Sequence, residues 1–80
     1  ILVVDDSATV RRLVSLALGR LGCEVITASG GMEALGALSH AAPDLVLLDV
    51  GLPNLDGHQI CRTIKRSAKT CDVPVIMLTG

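Results

Sequence analysis

Polar residues with chemistry to offer stand at three places in this 80-residue chain: Asp5-Asp6, Asp49 and Thr79. Each follows directly on an aliphatic run. Ile1-Leu2-Val3-Val4 precedes the acidic pair, Leu45-Val46-Leu47-Leu48 precedes Asp49, and Val75-Ile76-Met77-Leu78 precedes Thr79. Short continuous aliphatic runs are the pattern of parallel strands covered on both faces. In an open parallel sheet the carboxyl ends of all strands share one edge, and ligands bind there. If the first and third runs are neighbouring strands, three carboxylates converge. Three like charges in one place are costly unless a cation joins them. Few oxygen ligands, with room left for water and phosphate, favour magnesium. A carboxylate beside that ion can accept a phosphoryl group, with Thr79 donating its hydroxyl to a phosphoryl oxygen. Gly51, two residues after Asp49, is spaced to bring its backbone carbonyl to the same metal.

The elements that must position these groups alternate strand and helix. After Asp5-Asp6-Ser7, which supplies helix-starting oxygens, Val10, Leu13, Val14, Ala17, Leu18 and Leu21 recur at helical spacing. Gly22 stands where a helix-ending glycine belongs. Residues 24–28 read as a second strand, and Ser29-Gly30-Gly31 turns into a second helix with Leu35 and Leu38 on its buried face. Asp44 to Asp49 is the third strand and 50–55 a loop containing Pro53. Residues 56–66 form a third helix, begun by an Asp56/Gln59 capping box. A polar loop over 67–72 leads to the fourth strand, 73–78. Repeated strand–helix–strand units imply right-handed crossovers and one mainly parallel sheet.

Composition excludes several function classes. Half the residues are apolar and the net charge is −1, from 7 basic and 8 acidic side chains, which is a globular balance rather than a disordered one. There is no basic footprint for nucleic acid, and with no aromatic residue there is no platform for stacking bases. No apolar stretch is long enough to span a membrane. No secretory start is visible, and the chain opens at Ile1 in an apolar run, as an excised segment does. Cys23, Cys61 and Cys71 form no CxxC pair and complete no zinc pattern with His40 and His58. They read as small hydrophobes in a reducing compartment, so a cytoplasmic location is expected.

Taken together, Val3 to Ser7 (VVDDS), Gly30 to Leu35 (GGMEAL), Leu45 to Gly57 (LVLLDVGLPNLDG) and Pro74 to Gly80 (PVIMLTG) resemble the receiver domain of bacterial response regulators. Each piece alone is weak, but their order and spacing together are specific. The resemblance implies an α/β doubly wound parallel sheet, flavodoxin-like, with strand order 2-1-3-4 in the given residues. It implies Asp49 as phosphoacceptor, Asp6 as a direct magnesium ligand, Asp5 as a ligand through water, and Thr79 as the switch hydroxyl. Gly51 stands where the family often has Met, which keeps the carbonyl and removes side-chain cover over the phosphate. The family's fifth strand, with its phosphate-binding lysine, the proline after it and an aromatic residue, lies beyond Gly80. Residues 1–80 therefore read as a receiver domain incomplete at its C-terminus, with the fourth-strand edge exposed and open to self-association. The implied partners are a histidine kinase or phosphotransfer protein, and a downstream target or fused output domain. Such a domain assists its own phosphorylation and dephosphorylation without being a turnover enzyme.

Blander readings stand beside these. Asp5 and Asp6 can cap the first helix, whose N-terminus favours acids, and capping is compatible with metal binding. Asp56-Gly57 and Pro53 shape a turn. Arg11, Arg12, Lys65, Arg66 and Lys69 read as solvated faces. Without the lysine, a receiver-like interaction module that works independently of phosphorylation is the alternative function. An aspartyl-phosphate hydrolase typically needs a second acid two residues after the nucleophile, where this chain has Gly51. A dinucleotide site needs a G-x-G-x-x-G after the first strand, and none is there.

Overall fold

The computed structural model describes residues 1–40, 43–49 and 57–78. The elements are β1 (Leu2–Val4), α1 (Ala8–Arg20), β2 (Ile26–Ala28), α2 (Gly31–His40), β3 (Val46–Asp49), α3 (Gly57–Arg66) and β4 (Val75–Leu78). All strand pairs are parallel, in the order β2-β1-β3-β4. The fold class and strand order are those expected from the sequence. The strands are shorter than the aliphatic runs suggested, because Glu24, Asp44 and Val73 belong to the turns that feed them. Expectations for the 50–55 loop and for Asp56 as a helix cap lie outside the described residues.

Alternation along each strand sorts side chains to two faces. Leu2, Val4, Ala28, Val46 and Leu48 point to one face and are buried with Ala34 of α2 and Ile60 and Ile64 of α3. Val75 and Met77 pack against the rim of this core. The second helix turns Gly31 and Ala34 inward, whereas Leu35 and Leu38, expected as its buried face, are only half-buried. The small residues are the ones that let this helix approach the sheet closely.

The opposite face carries Val3, Leu47, Ile76 and Leu78 and, among the described residues, is covered by α1 alone. This helix contacts β1 and β2. None of its residues is fully buried, and Leu13 is 61% exposed. On β4, Ile76 is 48% and Leu78 42% exposed. The apolar periodicity of α1 thus marks a face wider than the surface β1 and β2 present to it.

Local signals behave as their chemistry dictates at both ends of α1. Ser7 is its N-cap and its hydroxyl accepts from the Val10 amide at 3.3 Å. At the other end the Gly22 amide donates to the Gly19 carbonyl at 3.0 Å and the Cys23 amide to the Leu18 carbonyl at 3.1 Å. These are the two bonds of a Schellman motif, which places Gly22 at φ +85°, a conformation glycine adopts without cost. Between α3 and β4, the loop read as merely polar contains a buried Thr70. Its hydroxyl donates to the Ile64 carbonyl at 2.6 Å and closes the end of α3. Lys65 donates to the Val73 carbonyl at 2.7 Å, so it ties α3 to the approach of β4 rather than only facing solvent.

Candidate functional site

Register is what assembles the site. Val4 pairs with Leu48 between β1 and β3, so the residues that follow, Asp5 and Asp49, leave the sheet at the same level of its carboxyl edge. Asp6 is the next residue along. Carboxylate oxygens of Asp5, Asp6 and Asp49 lie no more than 4.8 Å from one another. Asp5 is buried at 9% exposure, Asp49 is half-buried and Asp6 is exposed. The pocket therefore grades from protein interior to solvent across three acids.

Asp5 is held most firmly. Its amide donates to the Ala28 carbonyl of β2 at 3.1 Å, and one of its carboxylate oxygens accepts the Ser7 amide at 2.8 Å. The expected helix-capping role is thus shared. Ser7 caps α1, and Asp5 fastens the turn that delivers Ser7. The second carboxylate oxygen of Asp5 accepts no protein donor among the described residues. Arg11, read from sequence as part of a solvated face, instead donates from Nη1 to the Asp5 main-chain carbonyl at 2.7 Å. No sequence signal marked it, because the contact depends on the angle at which α1 leaves β1. Arg12 is exposed, as expected.

A neighbouring turn is built by Glu33. Its carboxylate accepts both the hydroxyl of Ser29, at 2.6 Å, and the amide of Ser29, at 3.1 Å, at the entry to α2. These bonds hold the Glu33 carboxyl below the ordinary carboxylate value, the Ser29 hydroxyl contributing most and the Arg11 charge least.

Three carboxylates of graded exposure make a donor set of hard oxygens, which suits a small divalent cation. Octahedral magnesium with bonds of about 2.0–2.1 Å places its ligand oxygens roughly 3–4 Å apart. Separations of up to 4.8 Å accommodate this with water completing the shell. Hollows of about 310 and 460 Å³ lie between α2 and α3, lined by residues such as Leu35, Thr63 and Thr70, away from the carboxylates. Gly51 and Thr79, the other two residues the sequence assigned to the site, lie outside the described residues. The three cysteines are free, Cys71 exposed and the others half-buried, and none belongs to the acidic cluster.

This combination of sheet order and acidic edge is that of a signalling module, and comparison with known proteins agrees. The whole chain, residues 1–80, matches the response regulator receiver domain, and it belongs to that family. It is 40% identical over 80 residues to protein PilG of Pseudomonas aeruginosa, matching all of this chain and 59% of that protein. Among solved structures, the N-terminal domain of a response regulator receiver protein from Methanoculleus marisnigri superposes with a TM-score of 0.92 at 45% identity, over 98% of this chain and 63% of that one. The response regulator TrrA of Thermotoga maritima, solved in complex with Mg(2+)-BeF, superposes with a TM-score of 0.87 at 37% identity, over 98% of this chain and 66% of that one. The chain thus spans about three-fifths of the length of PilG. Among the described residues, no helix is long and apolar enough to cross a membrane.

Proposed function

We propose that this chain is the phosphoacceptor part of a two-component receiver domain, phosphorylated on Asp49 with magnesium in the acidic pocket. The observation that carries the reading is the convergence of Asp5, Asp6 and Asp49 within 4.8 Å at the carboxyl edge of β1 and β3. The resemblance to TrrA, crystallised with Mg(2+)-BeF, supports the same chemistry here. In this reading residues 1–80 are the first four strands and three helices of the domain.

Asp6 and Asp49 would hold the metal with their carboxylates, Asp5 through water and Gly51 with its backbone carbonyl. Magnesium bound there would supply charge neutralisation for the crowded carboxylates and for the oxygens of an incoming phosphoryl group. A carboxylate oxygen of Asp49 attacks phosphorus. The bond from phosphorus to the imidazole nitrogen of a kinase phosphohistidine breaks as the new O–P bond forms, and the electron pair stays on the imidazole. Asp5, held in place by the Ser7 amide, would hold the metal through water. Thr79 donates its hydroxyl to the phosphorylated Asp49, and its movement alters the surface offered to a downstream target or fused output domain. The domain assists this transfer and the later hydrolysis, and in the cell it works in the cytoplasm, where three free cysteines suit a reducing environment.

The test is incubation of the full native chain with acetyl phosphate and magnesium, followed by intact-mass measurement. One acid-labile phosphoryl group is expected on the parent and none on Asp49→Asn. Labelling that survives in Asp49→Asn sinks the assignment. No labelling of the parent by acetyl phosphate or a phosphorylated kinase favours the interaction module that acts independently of phosphorylation.

A further inference from the structure

We propose that Arg11 is a positioning residue for the acidic pocket: it clamps the peptide that joins Asp5 to Asp6, and so sets the pocket's affinity for magnesium. The inference rests on the reading of the pocket as a metal site. Arg11 has no part in that reading, and nothing in its sequence context distinguishes it from the adjacent Arg12.

The geometry is specific. A helical side chain leans back toward the N-terminus of its helix. From the first turns of α1, Arg11 reaches six residues back to the carbonyl oxygen of Asp5 at 2.7 Å, in a part-buried contact. Its own amide donates to the Ser7 carbonyl at 3.0 Å. The Asp5 carbonyl belongs to the planar peptide unit between the two acids. Fixing that plane fixes ψ of Asp5 and φ of Asp6 together, and therefore the directions in which both carboxylates leave the backbone. Asp5 has two further tethers, through Ser7 and Ala28. For Asp6, which is exposed, the shared peptide plane is the nearest restraint among the contacts described.

Arg11 acts through the main chain and not as a counter-ion inside the pocket. Its donor goes to a carbonyl, and it forms no ion pair with Asp5, Asp6 or Asp49 among the contacts described. Its charge is felt at Glu33, where it adds to the pull of Ser29. A charge-assisted bond to a carbonyl in a part-buried place is among the stronger hydrogen bonds a protein makes. Partners that orient the residues binding a metal typically change affinity by 10–100-fold when removed.

The experiment is a magnesium titration of the full native chain followed by ¹⁵N NMR, in the parent, Arg11→Ala, Arg11→Lys and Arg12→Ala. We expect Arg11→Ala to weaken magnesium binding about tenfold. Arg11→Lys, which keeps a charged donor, recovers most of the loss, and Arg12→Ala matches the parent. A metal-free measurement accompanies it: amide exchange at Ser7 quickens in Arg11→Ala and not in Arg12→Ala, because the turn that presents Asp5 to that amide has lost its clamp. Unchanged affinity in Arg11→Ala, or tighter binding, overturns the inference while leaving the pocket intact. Equal weakening in Arg12→Ala overturns it as well, since the loss would then come from a general disturbance of α1 and not from the Asp5 carbonyl contact. Absence of magnesium binding in the parent overturns the metal reading itself, and the role assigned to Arg11 with it.

Discussion

Val4 of β1 and Leu48 of β3 are register partners, and each is followed at once by an aspartate. That pairing makes one site out of two acids separated by more than half of the chain. A one-residue slip between these strands would turn one acid to the opposite face of the sheet. The hydrophobic alternation that buries Leu2, Val4, Val46 and Leu48 on one side therefore also aligns the chemistry.

Asp49→Asn should stabilise the metal-free protein. Three carboxylates within 4.8 Å repel one another, and Asn removes one charge at nearly constant shape. At the water-like end of the dielectric range each such pair is worth about 1 kcal/mol. For a domain of this size each such kcal/mol corresponds to a rise of roughly 4–8 °C in melting midpoint. Magnesium at saturating concentration should raise the parent's midpoint more than the variant's, since a ligand stabilises the state that binds it. Thermal melts with and without metal check both statements. A lower metal-free midpoint for Asp49→Asn would show that the cluster is not repulsive.

The entry to α2 should respond to acid. The Glu33 carboxyl is held below its ordinary value of 4.5, first by the Ser29 hydroxyl. A folded value below the unfolded one means that the contribution is present above about 4.5 and is lost as pH falls through the folded value. The Ser29 amide shift should accordingly titrate below pH 4.5 in the parent and lose that titration in Glu33→Gln. If Glu33 instead titrates at or above the ordinary value, the Ser29 contacts do not persist in solution.

The 80 residues on their own should self-associate, because among the described residues β4 pairs only with β3 and turns Ile76 and Leu78 outward beside an incompletely covered α1. Exposed apolar edge strands recruit other strands, and lysine on an edge discourages it. Light scattering should find Ile76→Lys closer to monomeric than the parent segment, with the helical circular dichroism kept. A parent segment that is monomeric at high concentration would show that this edge is protected.

Much of this was legible in the amino-acid order. Aliphatic runs ending in Asp5 and Asp49 marked parallel strands, because burial on both faces demands that composition. Ser7 and Gly22 marked the ends of α1, because capping chemistry is local. Thr70 and Lys65 were not legible. Their partners, the Ile64 and Val73 carbonyls, are backbone atoms that any sequence would offer.

What the sequence determined by itself was the set of elements and the chemical kind of the site: strands of fixed period, capped helices, and three acids able to hold a hard cation. Those properties arise within a few residues of chain. Tertiary structure alone decided which strand lies beside which, and hence that Asp49 meets Asp5 and Asp6. It also decided that Arg11, and not Arg12, turns back onto the Asp5 carbonyl, and that the apolar stripe of α1 stays largely uncovered. These are matters of strand register and helix docking angle, and both are set by how the layers pack, over distances no local pattern of residues can encode.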